Sequence, residues 1–146
     1  MIQVSDWQMI MRLVMSVLLC GAIGLEREVR GRSAGLRTHI LVGLSSCLLT
    51  IISIFVAQSF GEAHMFDPGR IAAGVVTGMG FLGAGTIIRY GESIKGLTTA
   101  ASLWAVTAVG LAVGAGFYLA AYVSTALILI TLFALSRVEK SISKGK

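Results

Sequence analysis

Charge is what this sequence has least of. Asp, Glu, Lys and Arg make up only 13% of its 146 residues, while 55% are hydrophobic. An ordinary soluble domain carries about 25% charged residues. Too few polar side chains remain to coat a water-facing surface, which excludes a conventional soluble fold. Cysteine is also scarce. Cys20 and Cys47 both lie in apolar runs, and neither has a second thiol at metal-ligand spacing. They read as small packing residues. Two histidines and no buried acid pair at useful spacing give no nucleophile–base arrangement. The expectation is a non-enzyme with no cofactor and no bound metal. The first apolar run follows Asp6 and lacks a basic lead or an A-x-A site, so it reads as a retained helix and not a cleaved signal. No linker is long enough to separate domains, so residues 1–146 read as one domain.

What the chain does have is apolar length. Runs cover Trp7 to Leu25, Ile40 to Phe60 and Ile71 to Ile88, and a long stretch continues from Leu97 to Leu135. A bilayer core takes about 20 helical residues, so the last stretch is too long for one span. It breaks naturally at Gly114-Ala115-Gly116, giving Leu97–Val113 and Phe117–Leu135. The expected fold is an all-α transmembrane bundle of five helices.

The formal charge is +5. In a soluble protein that would raise nucleic-acid binding; here the positive charge has a different meaning. With five spans, Arg27, Arg30, Arg32, Arg37, Arg89, Lys95, Arg137, Lys140, Lys144 and Lys146 share one side, leaving only Arg12 and Arg70 on the other. Such a skew places the basic side in the cytoplasm, with the N-terminus out and the C-terminus in. Trp7, Tyr90 and Tyr118 fall near span ends, as interfacial aromatics do. The partners expected are lipid, a second copy (a dimer foremost) and other membrane proteins, with no nucleic acid.

Glycine, at 18 residues, is nearly twice its usual share. It concentrates in the third run as Gly74, Gly78, Gly80, Gly83 and Gly85. Small residues let membrane helices approach closely, so the third helix is expected to be central and tightly clasped. Gly110 and Gly114 form a second small pair. Gly78 to Gly83 also spells G-x-G-x-x-G, but a dinucleotide site needs a preceding strand and a soluble βαβ unit.

Few polar residues stand near the membrane. Glu26 ends the first helix, where it pairs either with Arg37 across the loop or with Arg30 one turn on. Asp67-Pro68 suits a helix start, with Asp67 as N-cap and Arg70 one turn away. Glu62 and His64 lie nearby. Thr98 and Thr99 stand where they would cap the fourth helix. Arg12 reads as a snorkelling residue, and His39 as an interface residue. The mid-span hydroxyls are expected to bond within their own helices.

Several strings resemble the MgtC/SapB family. They are Gly24-Leu25-Glu26-Arg27-Glu28, Ala34-Gly35-Leu36-Arg37-Thr38-His39, Asp67-Pro68-Gly69-Arg70-Ile71-Ala72-Ala73, Gly80-Phe81-Leu82-Gly83-Ala84-Gly85-Thr86-Ile87 and Gly96-Leu97-Thr98-Thr99-Ala100-Ala101-Ser102-Leu103-Trp104. The resemblance implies a multi-pass protein of the bacterial inner membrane, from a family linked to growth at low magnesium and, in some members, to virulence. It points to Glu26, Arg27, Arg37, Asp67, Arg70, Thr98 and Thr99 as functional residues. MgtC-type members also carry a soluble ACT-like C-terminal domain. This chain stops at Lys146 and so resembles the shorter, membrane-only members. The implied role is accessory or regulatory, in magnesium homeostasis; the alternative is a subunit of a transporter or channel for Mg²⁺ or another cation.

Overall fold

A computed structural model describes residues 5–59, 67 and 69–143, with side chains as far as 134. The five expected helices are present: α1 (Asp6–Val29), α2 (Leu36–Ser59), α3 (Gly69–Gly85), α4 (Leu97–Ala115) and α5 (Tyr118–Ser143). Between α3 and α4 lie two short strands, β1 (Ile88–Tyr90) and β2 (Ser93–Lys95), paired antiparallel. By length and composition α1, α2 and α4 are each able to cross a membrane, and residues 118–134 of α5 form a shorter apolar stretch. Glu62, His64 and Pro68 lie outside the described residues.

Local chemistry sets the helix ends. Ser5 and Gln8 form a reciprocal capping box that opens α1. Asp67 accepts the Gly69 N–H at 2.8 Å, meeting one of the unpaired donors at the start of α3. The expected threonine cap on α4 is absent: Gly96 is the N-cap, with φ +93°, and no side chain caps it. Thr98 is exposed and Thr99 buried within the first turn. At the far end of α4, the Phe117 N–H reaches the Ala112 carbonyl at 2.8 Å and the Gly116 N–H reaches Val113 at 3.0 Å. With Gly116 at φ +86°, this is a Schellman turn, and it separates α4 from α5.

The core lies among α1, α2 and α4. Cys20, Ile23, Cys47, Ile51, Val106, Val109 and Val113 are buried there, joined by Ala121 of α5. Backbones meet where side chains are smallest. A Cβ built on Gly110 would stand 2.4 Å from the Gly43 carbonyl oxygen, and one on Gly114 would stand 2.6 Å from that of Cys47.

The third helix is not the centre. Among the described residues, nothing lies within 4 Å of a Cβ built on Gly74, Gly78, Gly80 or Gly85; Gly83 makes a contact, near Ala100. For Gly74 and Gly78 that open space is a cavity within the bundle, while Gly80 and Gly85 lie outside its lining. A cavity of about 660 Å³ separates α3 from α2, walled by Ile71, Gly74, Gly78, Leu41 and Ser45, with Thr107 among its lining residues. The hydroxyls of Thr77, Thr107 and Ser46 each donate to a carbonyl four residues back in their own helices, as expected.

Candidate functional site

The helix contacts bring the basic segments to one end of the bundle. There the end of α1 meets the start of α2, through Gly24 and Leu36. The starts of α2 and α4 meet through His39 and Ser102. The end of α5 joins them as Phe133 packs under the Arg30 guanidinium, 5.2 Å from the ring centre.

A buried charge cluster forms at this end. The Glu26 side chain is only 2% exposed, and Arg27 Nε donates to its Oε2 at 2.6 Å. Its other oxygen faces Arg30 as an ion pair. The expected alternative, Glu26 with Arg37, does not form, because Glu26 turns inward onto its own helix while Arg37 stays exposed. Arg27 is also buried, and its Nη1 has no hydrogen-bond partner among the described residues. Removing two opposite charges from water together is tolerable only when each is paired.

His39 departs from its interface reading. It is fully buried and ties two helices together. Its Nδ1 lies 2.8 Å from the Gly35 carbonyl, which only accepts, so Nδ1 carries the hydrogen. Its Nε2 lies 3.1 Å from the Ser102 hydroxyl, and that hydroxyl also lies 2.8 Å from the Thr99 carbonyl. Ser102 has one hydrogen for two acceptors. With a neutral imidazole it serves Nε2; with an imidazolium it serves Thr99. The ring and the Ser102 hydroxyl thus join the start of α2 to the first turns of α4.

Glu28 completes this end. Its Oε2 accepts the Leu36 N–H at 3.0 Å, placing an acid at the positive end of α2. Sequence spacing gave no signal for it, since the partner lies beyond a loop. His39 and Ser102 were equally hidden, being 63 residues apart.

The opposite end is built around Arg12. This residue does not snorkel. It is 8% exposed, and its Nη1 donates to the Gly114 carbonyl at 2.6 Å while Nε donates to the Tyr118 hydroxyl at 3.2 Å. The guanidinium thus meets one of the orphan carbonyls at the C-terminus of α4. Asp67 and Arg70 are both exposed, joined by the Arg70 N–H to the Asp67 carbonyl at 3.1 Å. Of the expected functional residues, Glu26, Arg27, Arg37, Thr98 and Thr99 share the basic end; Asp67 and Arg70 belong to the start of α3.

This architecture of apolar helices carrying buried arginines has relatives. The MgtC family model matches residues 13–141. The chain belongs to the MgtC family. It is 49% identical over 113 residues to YhiD of Escherichia coli (strain K12), provisionally named a magnesium transporter, covering 76% of this chain and 53% of that protein. It is 42% identical to Protein SapB of Bacillus subtilis (strain 168) over 144 residues, covering 97% of this chain and 62% of SapB. Protein MgtC of Salmonella typhimurium (strain LT2) is 38% identical over 135 residues, covering 92% of this chain and 55% of MgtC. The chain thus spans between half and two thirds of the length of these relatives. No solved structure matches it. Family membership and the three long apolar helices make this MgtC-family chain a multi-pass membrane protein.

Proposed function

We propose that this chain serves magnesium homeostasis as an accessory or regulatory protein of the bacterial inner membrane, acting by helix packing with itself and with other membrane proteins. The observation that carries this reading is the closed middle of the bundle. Between the Glu26–His39 end and the Arg12 end stand Cys20, Ile23, Cys47, Val106, Val109 and Val113, all at most 1% exposed. A cation path needs free polar or ionisable groups near the midplane; the buried hydroxyls of Ser46, Thr50 and Thr107 there each donate to a carbonyl of their own helix. Packing surface, in contrast, is left uncovered on α3: among the described residues nothing lies within 4 Å of a Cβ built on Gly80 or Gly85. The link to magnesium rests on the name of the YhiD relative.

The basic end is read as cytoplasmic, since ten of the chain's twelve Lys and Arg fall in its three segments. A reporter fused after Glu62 is then periplasmic and one after Lys140 cytoplasmic; the reverse pattern rejects the orientation. For function, crosslinking and co-purification from magnesium-starved membranes should recover a self-complex or a membrane partner. Recovery of monomer alone counts against the proposal. The transporter reading suggested by YhiD is tested in proteoliposomes of the pure protein. No Mg²⁺ flux above protein-free vesicles is expected, and flux abolished by Asp67→Asn would replace the accessory role with transport.

A further inference from the structure

Among the described residues, nothing buries the hairpin between α3 and α4. All six strand residues are exposed. Ile87, Ile88, Tyr90 and Ile94 are 40%, 49%, 62% and 53% exposed, an unusual apolar load for eight residues. A lone two-stranded hairpin is marginal in water, and no described residue covers these side chains. We propose that the hairpin is an interfacial anchor: its apolar side chains rest in the headgroup layer of the bilayer, and Arg89 and Lys95 meet the phosphates of anionic lipids. The inference rests on the bundle standing in a membrane with its basic end at one face.

Geometry fixes the hairpin at that depth. The 17 residues of α3 span about 26 Å at 1.5 Å each, short of a hydrocarbon core of about 30 Å. The chain therefore leaves α3 at or below the polar boundary. Each three-residue strand adds about 10 Å, similar to the roughly 5–8 Å of headgroup layer on each side. The hairpin is held to the helix ends, because Gly96 packs its Cα against the Thr86 carbonyl. A Cβ there would lie 1.9 Å from that oxygen, and φ is +93°.

The charges suit an anionic lipid face. Lys95 stands 5.7 Å over the Tyr90 ring, a cation beside an interfacial aromatic. Exposed Arg32 and Arg37 stand at the same end. Arg89 braces the turn through Nε to the Gly91 carbonyl at 2.9 Å. The acid of the hairpin, Glu92, occupies the turn between the strands, farthest from the helix ends.

The test uses the full chain carrying Ser93→Cys with a nitroxide label, in phosphatidylcholine vesicles with and without phosphatidylglycerol. Cys20 and Cys47 are fully buried, and the chain without the added thiol controls for their labelling. Collisions with oxygen and with a water-soluble nickel chelate report depth. Headgroup depth is expected in both lipids. Arg89→Gln with Lys95→Gln should shift the label toward water about fivefold per neutralised residue, only when phosphatidylglycerol is present. Ile94→Ser should shift it in both lipids. Full nickel access for the unmodified hairpin in every lipid would overturn the anchor. So would protection that disappears when the protein is diluted in lipid, since that marks a second copy as the cover. Failure of the vesicles to carry the protein in flotation would instead remove the membrane premise shared with the proposed function.

Discussion

Gly110 faces Gly43 so closely that a methyl group on the first would stand 2.4 Å from the carbonyl oxygen of the second and 2.9 Å from the Ser46 Cβ. Backbone, which cannot rotate aside, fills the space. Gly110→Ala should therefore cost about 1–3 kcal/mol through forced separation of α2 and α4. Gly78→Ala, with nothing within 4 Å, should stay within about 1 kcal/mol. Unfolding by titration with a denaturing detergent separates the two. If α3 carries self-association, Gly80→Leu, outside the cavity against α2, should weaken crosslinking while leaving that unfolding curve in place.

Glu26 and Arg27 stand or fall together. Glu26→Ala leaves the Arg27 charge buried without its 2.6 Å partner, which should cost about 3–5 kcal/mol. Arg37→Ala, at an exposed position, should change stability by less than about 0.5 kcal/mol. Comparable losses from both variants would restore the Glu26–Arg37 pairing. Thermal unfolding in mild detergent makes the comparison.

Arg12 should be dearer to lose than its place near a helix start suggests. Arg12→Ala strips the Gly114 carbonyl of a buried donor, with an expected loss of about 1–3 kcal/mol. Tyr118→Phe removes only the weaker 3.2 Å contact and should cost about 0.5–1.5 kcal/mol. The same thermal measurement ranks them; equal costs would show that the carbonyl contact contributes nothing extra.

Both native thiols are sealed. Cys20 and Cys47 are 0% exposed, so a membrane-permeant maleimide should leave both unmodified in the folded protein and label both after denaturation. Mass spectrometry of the intact chain counts the adducts. Rapid labelling of either cysteine without denaturant would contradict the α1–α2–α4 packing.

The helices were legible because apolar length is a direct requirement of lipid, and the α4–α5 division showed in Gly114-Ala115-Gly116. The role of α3 was misread because glycine density signals close approach without naming the neighbour. Here close helix approaches belong to Gly24, Gly110 and Gly114, while Gly74, Gly78, Gly80 and Gly85 of α3 have no described atom within 4 Å of a Cβ. Arg12 was beyond reach, since its carbonyl partner lies 102 residues away. The hairpin leaves a trace in the sequence: Ile88-Arg89-Tyr90 and Ser93-Ile94-Lys95 flank a two-residue Gly91-Glu92 turn, a strand signal too short to stand out between long apolar runs. The threonine cap is absent because Gly96, in a left-handed conformation, caps the helix two residues before Thr98.

The acid at position 26 and both its arginines are carried by α1 and the residue that caps it. No distant segment has to arrive before they meet. One turn of helix is enough to bring the three side chains within reach of one another, so the compensation of this buried acid is a local property of α1 and asks nothing of the order in which the other helices pack.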